Sequence, residues 1–118
     1  MILLLTTALA ACPPEEALSH RAELYFGRNR DGKPYVTHAR WEAFLDEVVT
    51  PVFPGFTVID GLGYWQGAPE RSRVMVLLHA PGDDTKVDAV ADAYRVRFGQ
   101  DAVYVADAPV VTRVCAEE

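Results

Sequence analysis

The sequence predicts an α+β fold in which two helices cover one face of an antiparallel sheet. Three observations predict it. Residues 71–80, Arg-Ser-Arg-Val-Met-Val-Leu-Leu-His-Ala, are a nearly unbroken β-type apolar run between Glu70 and Pro81-Gly82, as a strand buried on both sides reads. One stretch of apolar residues at helical spacing precedes this run and another follows it. Shorter alternating stretches stand at 21–28, 56–61 and 102–106, which makes the order β-α-β-β-α-β.

Residues 1–11 carry no charge and are too few for a helical span, which takes about 20 residues. Their length and small-residue end suit a secretory apolar region, although no Lys or Arg precedes it. Leu9-Ala10-Ala11-Cys12 resembles a bacterial lipobox, in which the cysteine is lipidated. The expected organisation is a signal peptide over 1–12, a tether over 13–20 opening with Pro13-Pro14-Glu15-Glu16, and one domain over 21–118.

In residues 21–28, Ala22, Leu24 and Phe26 alternate with Glu23, Tyr25 and Gly27, a strand pattern. Asp31-Gly32 and Lys33-Pro34 mark a loop over 29–34. Thr37 is positioned to cap a helix with a stripe of Trp41, Phe44, Leu45 and Val48, ended by Pro51 and Pro54. In the second strand, 56–61, Phe56, Val58 and Asp60 share one side. Three glycines in 61–67 then predict a turn or bulged strand end, and a hairpin through Gly67-Ala68-Pro69. Asp83 or Asp84 caps a second helix with Val87, Ala91, Tyr94 and Phe98 buried, which Gly99 stops. Residues 102–106 are a short strand broken by Pro109, and 110–114 add an edge strand.

This βαββαβ order is the split βαβ, or ferredoxin-like, pattern. The helix-facing set is expected to be Leu24, Phe26, Val74, Val76, Leu78, Val103 and Val105. Tyr25, Met75, Leu77, His79 and Tyr104 are then expected on the opposite face. That face is too apolar to stand free, so a homodimer packed sheet to sheet is the expected partner.

The 118 residues carry a net charge of −6, with basic residues scattered apart from Arg28/Arg30 and Arg71/Arg73. Such a chain repels phosphate backbones, and the aromatic-basic signature of an RNA-binding sheet is absent, so no nucleic-acid partner is expected. The two cysteines, Cys12 and Cys115, form no CxxC pair, and His20, His38 and His79 have no ligand spacing. No metal and no cofactor is expected. A Cys12 that is not lipidated leaves a disulfide with Cys115 open in an oxidising compartment.

Several segments together resemble a family. They are Glu23-Leu24-Tyr25-Phe26-Gly27-Arg28, Trp41, Phe44-Leu45, Val49-Thr50-Pro51, Phe53-Pro54, Thr57-Val58, Asp60, Gly63-Tyr64-Trp65, Glu70-Arg71-Ser72, Tyr94 and Phe98-Gly99-Gln100. Over residues 21–107 the chain resembles the bacterial family known as domain of unknown function 3574. That resemblance implies a short exported protein and carries over no catalytic role. The chain departs from the family pattern at Asp101-Ala102 and in its ending, Cys115-Ala116-Glu117-Glu118.

The candidate site is the polar cluster Tyr25, Arg28, Asp60, Trp65, Glu70, Arg71, Ser72 and Gln100, much of it at strand ends. Glu70 and Arg71 together suit a bound anion. Ser72 lacks the partners and flanking glycines of a nucleophile. The expected function is that of a cell-envelope lipoprotein, anchored to a membrane through Cys12, whose domain binds a partner or small ligand without catalysis. The alternative is a small enzyme of the dimeric α/β-barrel kind, with a pocket gathering Tyr25, His79 and Arg71.

Overall fold

The structure, a computed structural model, describes residues 11–116. The expected signal peptide, apart from its last two residues, lies outside the described residues. Strand β1 (His20–Gly27) leads into a small hairpin of β2 (Asn29–Arg30) and β3 (Lys33–Pro34). Helix α1 (His38–Phe44) continues through one wide turn, Leu45–Val49. Strands β4 (Thr57–Trp65) and β5 (Ala68–His79) precede α2 (Asp84–Phe98) and β6 (Tyr104–Pro109). The main sheet has the order β4-β5-β1-β6 with every neighbouring pair antiparallel. The fold is α+β: this four-stranded sheet, the two-stranded β2–β3 sheet and two helices.

Local chemistry accounts for the boundaries. Thr37 Oγ1 accepts from the Arg40 N–H at 3.2 Å and caps α1. Gly99, at φ 62°, ends α2 in the left-handed conformation that glycine tolerates. Asp83 makes no capping bond; it pairs with Lys86 at 3.3 Å after a short 3₁₀ turn. The expected loop over 29–34 is the β2–β3 hairpin, turned at Asp31-Gly32 with φ of 51° and 75°. The β4–β5 hairpin likewise turns at Gln66-Gly67, so β4 runs unbroken to Trp65. Residues 110–114, expected as an edge strand, form no strand of the main sheet.

The core lies between the sheet and the helices. Leu24, Phe26, Met75 and Leu77 meet Trp41, Phe44, Val87, Tyr94 and Phe98, all buried. The Tyr94 ring stands 4.4 Å from Phe26 and 4.7 Å from Phe98, centre to centre.

The central strand takes the opposite frame from the expected one. Leu24 is opposite Met75 and Ala22 opposite Leu77, and directly paired residues share a face. Met75, Leu77 and His79 therefore lie beneath the helices. Val74, Val76 and Leu78 join Tyr25 and Tyr104 on the outer face. Both faces of this strand are apolar, so no alternation sets its frame; pairing with the alternating β1 does. The same frame buries Arg73, 7% exposed, with its guanidinium 4.9 Å from the Trp41 ring and 3.4 Å from Asp60.

The chain ends meet. Residues 13–15, expected as a free tether, run against 112–114: the Glu15 N–H donates to Thr112 O at 2.7 Å and the Val114 N–H to Pro13 O at 2.9 Å. Cys12 and Cys115 form a disulfide with their Cα atoms 4.6 Å apart. No helix among the described residues is long and apolar enough to cross a membrane.

Candidate ligand-binding cleft

At one end of the outer sheet face, side chains are missing where they would otherwise fill space. Gly27 of β1 is opposite Ser72 of β5, which is also opposite Gly61 of β4; Gly63 is opposite Glu70. A Cβ added at Gly61 would meet Ser72 Oγ at 3.3 Å, and one at Gly63 would meet it at 3.6 Å. These glycines leave a hollow, closed at its sides by the β2–β3 turn, the β4–β5 turn and the chain leaving α2. The result is a half-open cleft of about 700 Å³, within the range of about 300–1,000 Å³ common for small-molecule sites.

Glu70 is the central polar group. Its Oε1 lies 1.7 Å from where a Cβ on Gly27 would stand, so only glycine admits the carboxylate there. Burial pushes the Glu70 carboxyl up from its ordinary range, the Asn29 backbone N–H bound to it pulls it down, and the charge of Asp101 raises it again; the net direction is up. Gln100 Nε2 donates to Asn29 O, and Tyr94 Oη donates to Gly27 O at 2.6 Å, so the floor is braced from α2. Burial raises the Tyr94 hydroxyl far above its usual range, keeping it a donor.

The wall is aromatic. Tyr25, Tyr64, Trp65 and Tyr104 all line the cleft and are 37–71% exposed. The Trp65 and Tyr104 rings stand 6.2 Å apart. Tyr25 Oη donates to Glu23, which pushes the phenol up and holds the ring in place.

Of the expected cluster, Tyr25, Trp65, Glu70, Ser72 and Gln100 line the cleft. Arg28, Asp60 and Arg71 do not. Arg28 turns its Nε to Val36 O at 3.1 Å, Asp60 pairs with Arg73, and Arg71, next in strand to Glu70, takes the other face. The Glu70–Arg71 anion site is thereby ruled out: neighbours in a strand point to opposite sides. The expectation of Tyr25, His79 and Arg71 in one pocket also fails, since Tyr25 lines this cleft, His79 a second one at the far end, and Arg71 neither. The sequence reasoning missed Asp31, Asp101 and the floor glycine Gly27. Paired glycines facing Ser72 and Glu70 were the available signal, legible only with the strand register in hand.

At the far end His79 is buried, with Nδ1 2.7 Å from Ala80 O and Nε2 2.9 and 3.0 Å from the Asp107 carboxylate oxygens. Burial is the largest influence and disfavours the charge. The Ala80 carbonyl, the Asp107 hydrogen bond and the charges of Asp107 and Asp84 together outweigh it and push the imidazole up. Only the imidazolium donates from both nitrogens. Asp84, 3.8 Å away, completes a His–Asp–Asp group that this proton already explains.

A family model described as protein of unknown function (DUF3574) matches residues 21–114. The chain belongs to this family. The DUF3574 match takes in the whole main sheet except His20, together with both helices and the cleft. Two solved structures of a phage SAM lyase are similar to this DUF3574 chain. The apo state has 22% identity and a TM-score of 0.64 over 85% of this chain and 91% of that one. The complex with S-methyl-5′-thioadenosine has 20% identity and a TM-score of 0.57 over 85% and 92%. At such identity the likeness is one of fold. No curated protein matches the chain. The Cys12–Cys115 disulfide points to an oxidising, exported location.

Proposed function

We propose that the protein is an exported domain that binds a small molecule in the cleft above Glu70. The observation that carries this reading is a carboxylate seated on Gly27, with its pKa raised from its ordinary range, in a cleft also lined by four exposed aromatic rings. The Asn29 N–H bound to Glu70 is not a charge partner, and the neighbouring Arg71 lies on the other face, so no side-chain cation lines the cleft beside it among the described residues. We read the fold as ferredoxin-like, because the strand order β6-β1-β5-β4 is the one a split βαβ pattern gives. A fragment screen by amide correlation spectroscopy tests the function. Bound fragments should shift the Gly27, Gly63, Glu70 and Ser72 amides together; binding confined to the far cleft or scattered over the surface would overturn it.

The outer face supports a homodimer that would also close the cleft, with Ile59 53% and Leu78 37% exposed on it. Sedimentation at micromolar concentration tests this, and a monomer there would remove it. The lipid anchor and the disulfide compete for the same sulfur. The geometry favours the disulfide, since the segments on either side of it are hydrogen-bonded. A mature mass showing acylated Cys12 and a free Cys115 thiol would restore the anchored lipoprotein.

A second reading is a small enzyme using the same cleft. The likeness to the phage SAM lyase favours it, and a carboxyl with a raised pKa is suited to proton transfer. Incubation with S-adenosylmethionine, followed by chromatography for S-methyl-5′-thioadenosine, discriminates: release blocked by Glu70→Gln supports the enzyme, and no release leaves the binding domain.

A further inference from the structure

We infer that the ligand of this cleft is an organic cation, held by ring faces and carboxylates. The inference rests on the small-molecule reading above and adds the chemical class.

Three carboxylates, Asp31, Glu70 and Asp101, line the cleft, and no lysine, arginine or histidine does among the described residues. None of the three belongs to an ion pair among the described residues. Arg30, next in sequence to the lining residues Asn29 and Asp31, packs its Nε against Gly99 and lays its guanidinium 4.9 Å from the Tyr35 ring centre. The lining of the cleft is therefore acidic, with no basic side chain in it. An anionic ligand would enter against three like charges and be repelled by them.

The aromatic wall points the same way. Tyr25, Tyr64, Trp65 and Tyr104 line one cleft, and an aromatic ring attracts a cation placed over its face, Trp most strongly. Rings of this kind beside carboxylates suit a quaternary ammonium, a sulfonium or a protonated amine carrying an apolar body. The whole chain, at −6, steers the same charge inward.

Benzyltrimethylammonium, benzyl alcohol and benzenesulfonate share a ring and differ in charge. Titration of each against isotope-labelled protein, read at the Gly27, Gly63, Glu70 and Ser72 amides, gives three affinities at one place. The cation is expected to bind about tenfold more tightly than the alcohol, and the sulfonate more weakly than both. Trp65→Ala and Glu70→Gln should each weaken the cation about fivefold or more and leave the alcohol within about twofold. Trp65 is partly exposed, and an unchanged spectrum elsewhere confirms that each variant folds. Equal or tighter binding of the alcohol or sulfonate at these amides would overturn the cation and keep the cleft. If none of the three shifts these amides while other fragments do, the cation is likewise overturned. If no fragment binds there at all, the small-molecule reading falls with it.

Discussion

The carboxylate of Glu70 rests on the Cα of Gly27, 43 residues away in sequence, at a distance that leaves no room for a methyl group. The contact fixes where the charge sits and explains why β1 ends in glycine. Gly27→Ala should therefore displace the carboxylate and cost about 1–3 kcal/mol, the usual scale of overpacking. In a Glu70→Ala background the same substitution should cost much less. Urea unfolding of the four proteins in this cycle gives the coupling, and additive losses would show that the two residues do not oppose each other.

Glu70→Gln should stabilise the protein at neutral pH, because it keeps an acceptor for the Asn29 N–H and removes a partly buried charge facing Asp101. The folded pKa is raised, so the folded state holds the proton more readily than the unfolded chain. The stability this gives is complete below the unfolded value and is lost as pH rises through the folded one. Wild type should lose stability relative to Glu70→Gln between acid and neutral pH, measured as urea midpoints. Parallel profiles would contradict the raised pKa.

His79 carries a second pH dependence. Asp107 reaches it across β1, where Ala22 is opposite Asp107 and His20 is opposite His79. The folded imidazole is raised above its unfolded value near 6.5. The stabilisation is complete below that value and fades as pH rises through the folded pKa. Asp107→Asn should cost about 1–2 kcal/mol near pH 6 and less near pH 9. Thermal melts of both proteins over this range check it, and a constant difference would mean that the ring does not titrate there.

The disulfide spans 103 residues of sequence. Reduction, or Cys115→Ser, should cost about 2–4 kcal/mol and free residues 13–15 from 112–114. Hydrogen exchange at Glu15 and Val114 reads the local effect, and continued protection after reduction would show that the backbone pairing suffices.

Much of the fold follows from local chemistry. Thr37 capped α1, Gly99 stopped α2, and β1 alternated cleanly enough to fix its buried face. The frame of β5 was illegible, because Val74, Met75, Val76 and Leu77 are all apolar and either set could face the helices. That one ambiguity misplaced His79; the Glu70–Arg71 pairing fails in either frame, because neighbours in a strand point to opposite faces. Five of the eight candidate residues converge because strand ends gather there. Arg28, Asp60 and Arg71 fall away through side-chain direction, which types alone do not reveal. The pairing of the two chain ends depends on contacts a hundred residues apart, beyond any local pattern.

Gly63→Leu offers the most direct test of ligand binding in the cleft. Its Cβ would meet Ser72 Oγ at 3.6 Å and Glu70 O at 3.8 Å, ordinary contacts, so the strand accepts it while the side chain fills the hollow. The measurement is amide correlation titration of wild type and Gly63→Leu with the same bound fragment. The account predicts saturable shifts at Gly27, Glu70 and Ser72 in wild type and their loss in the variant. Equal binding by both proteins would contradict it.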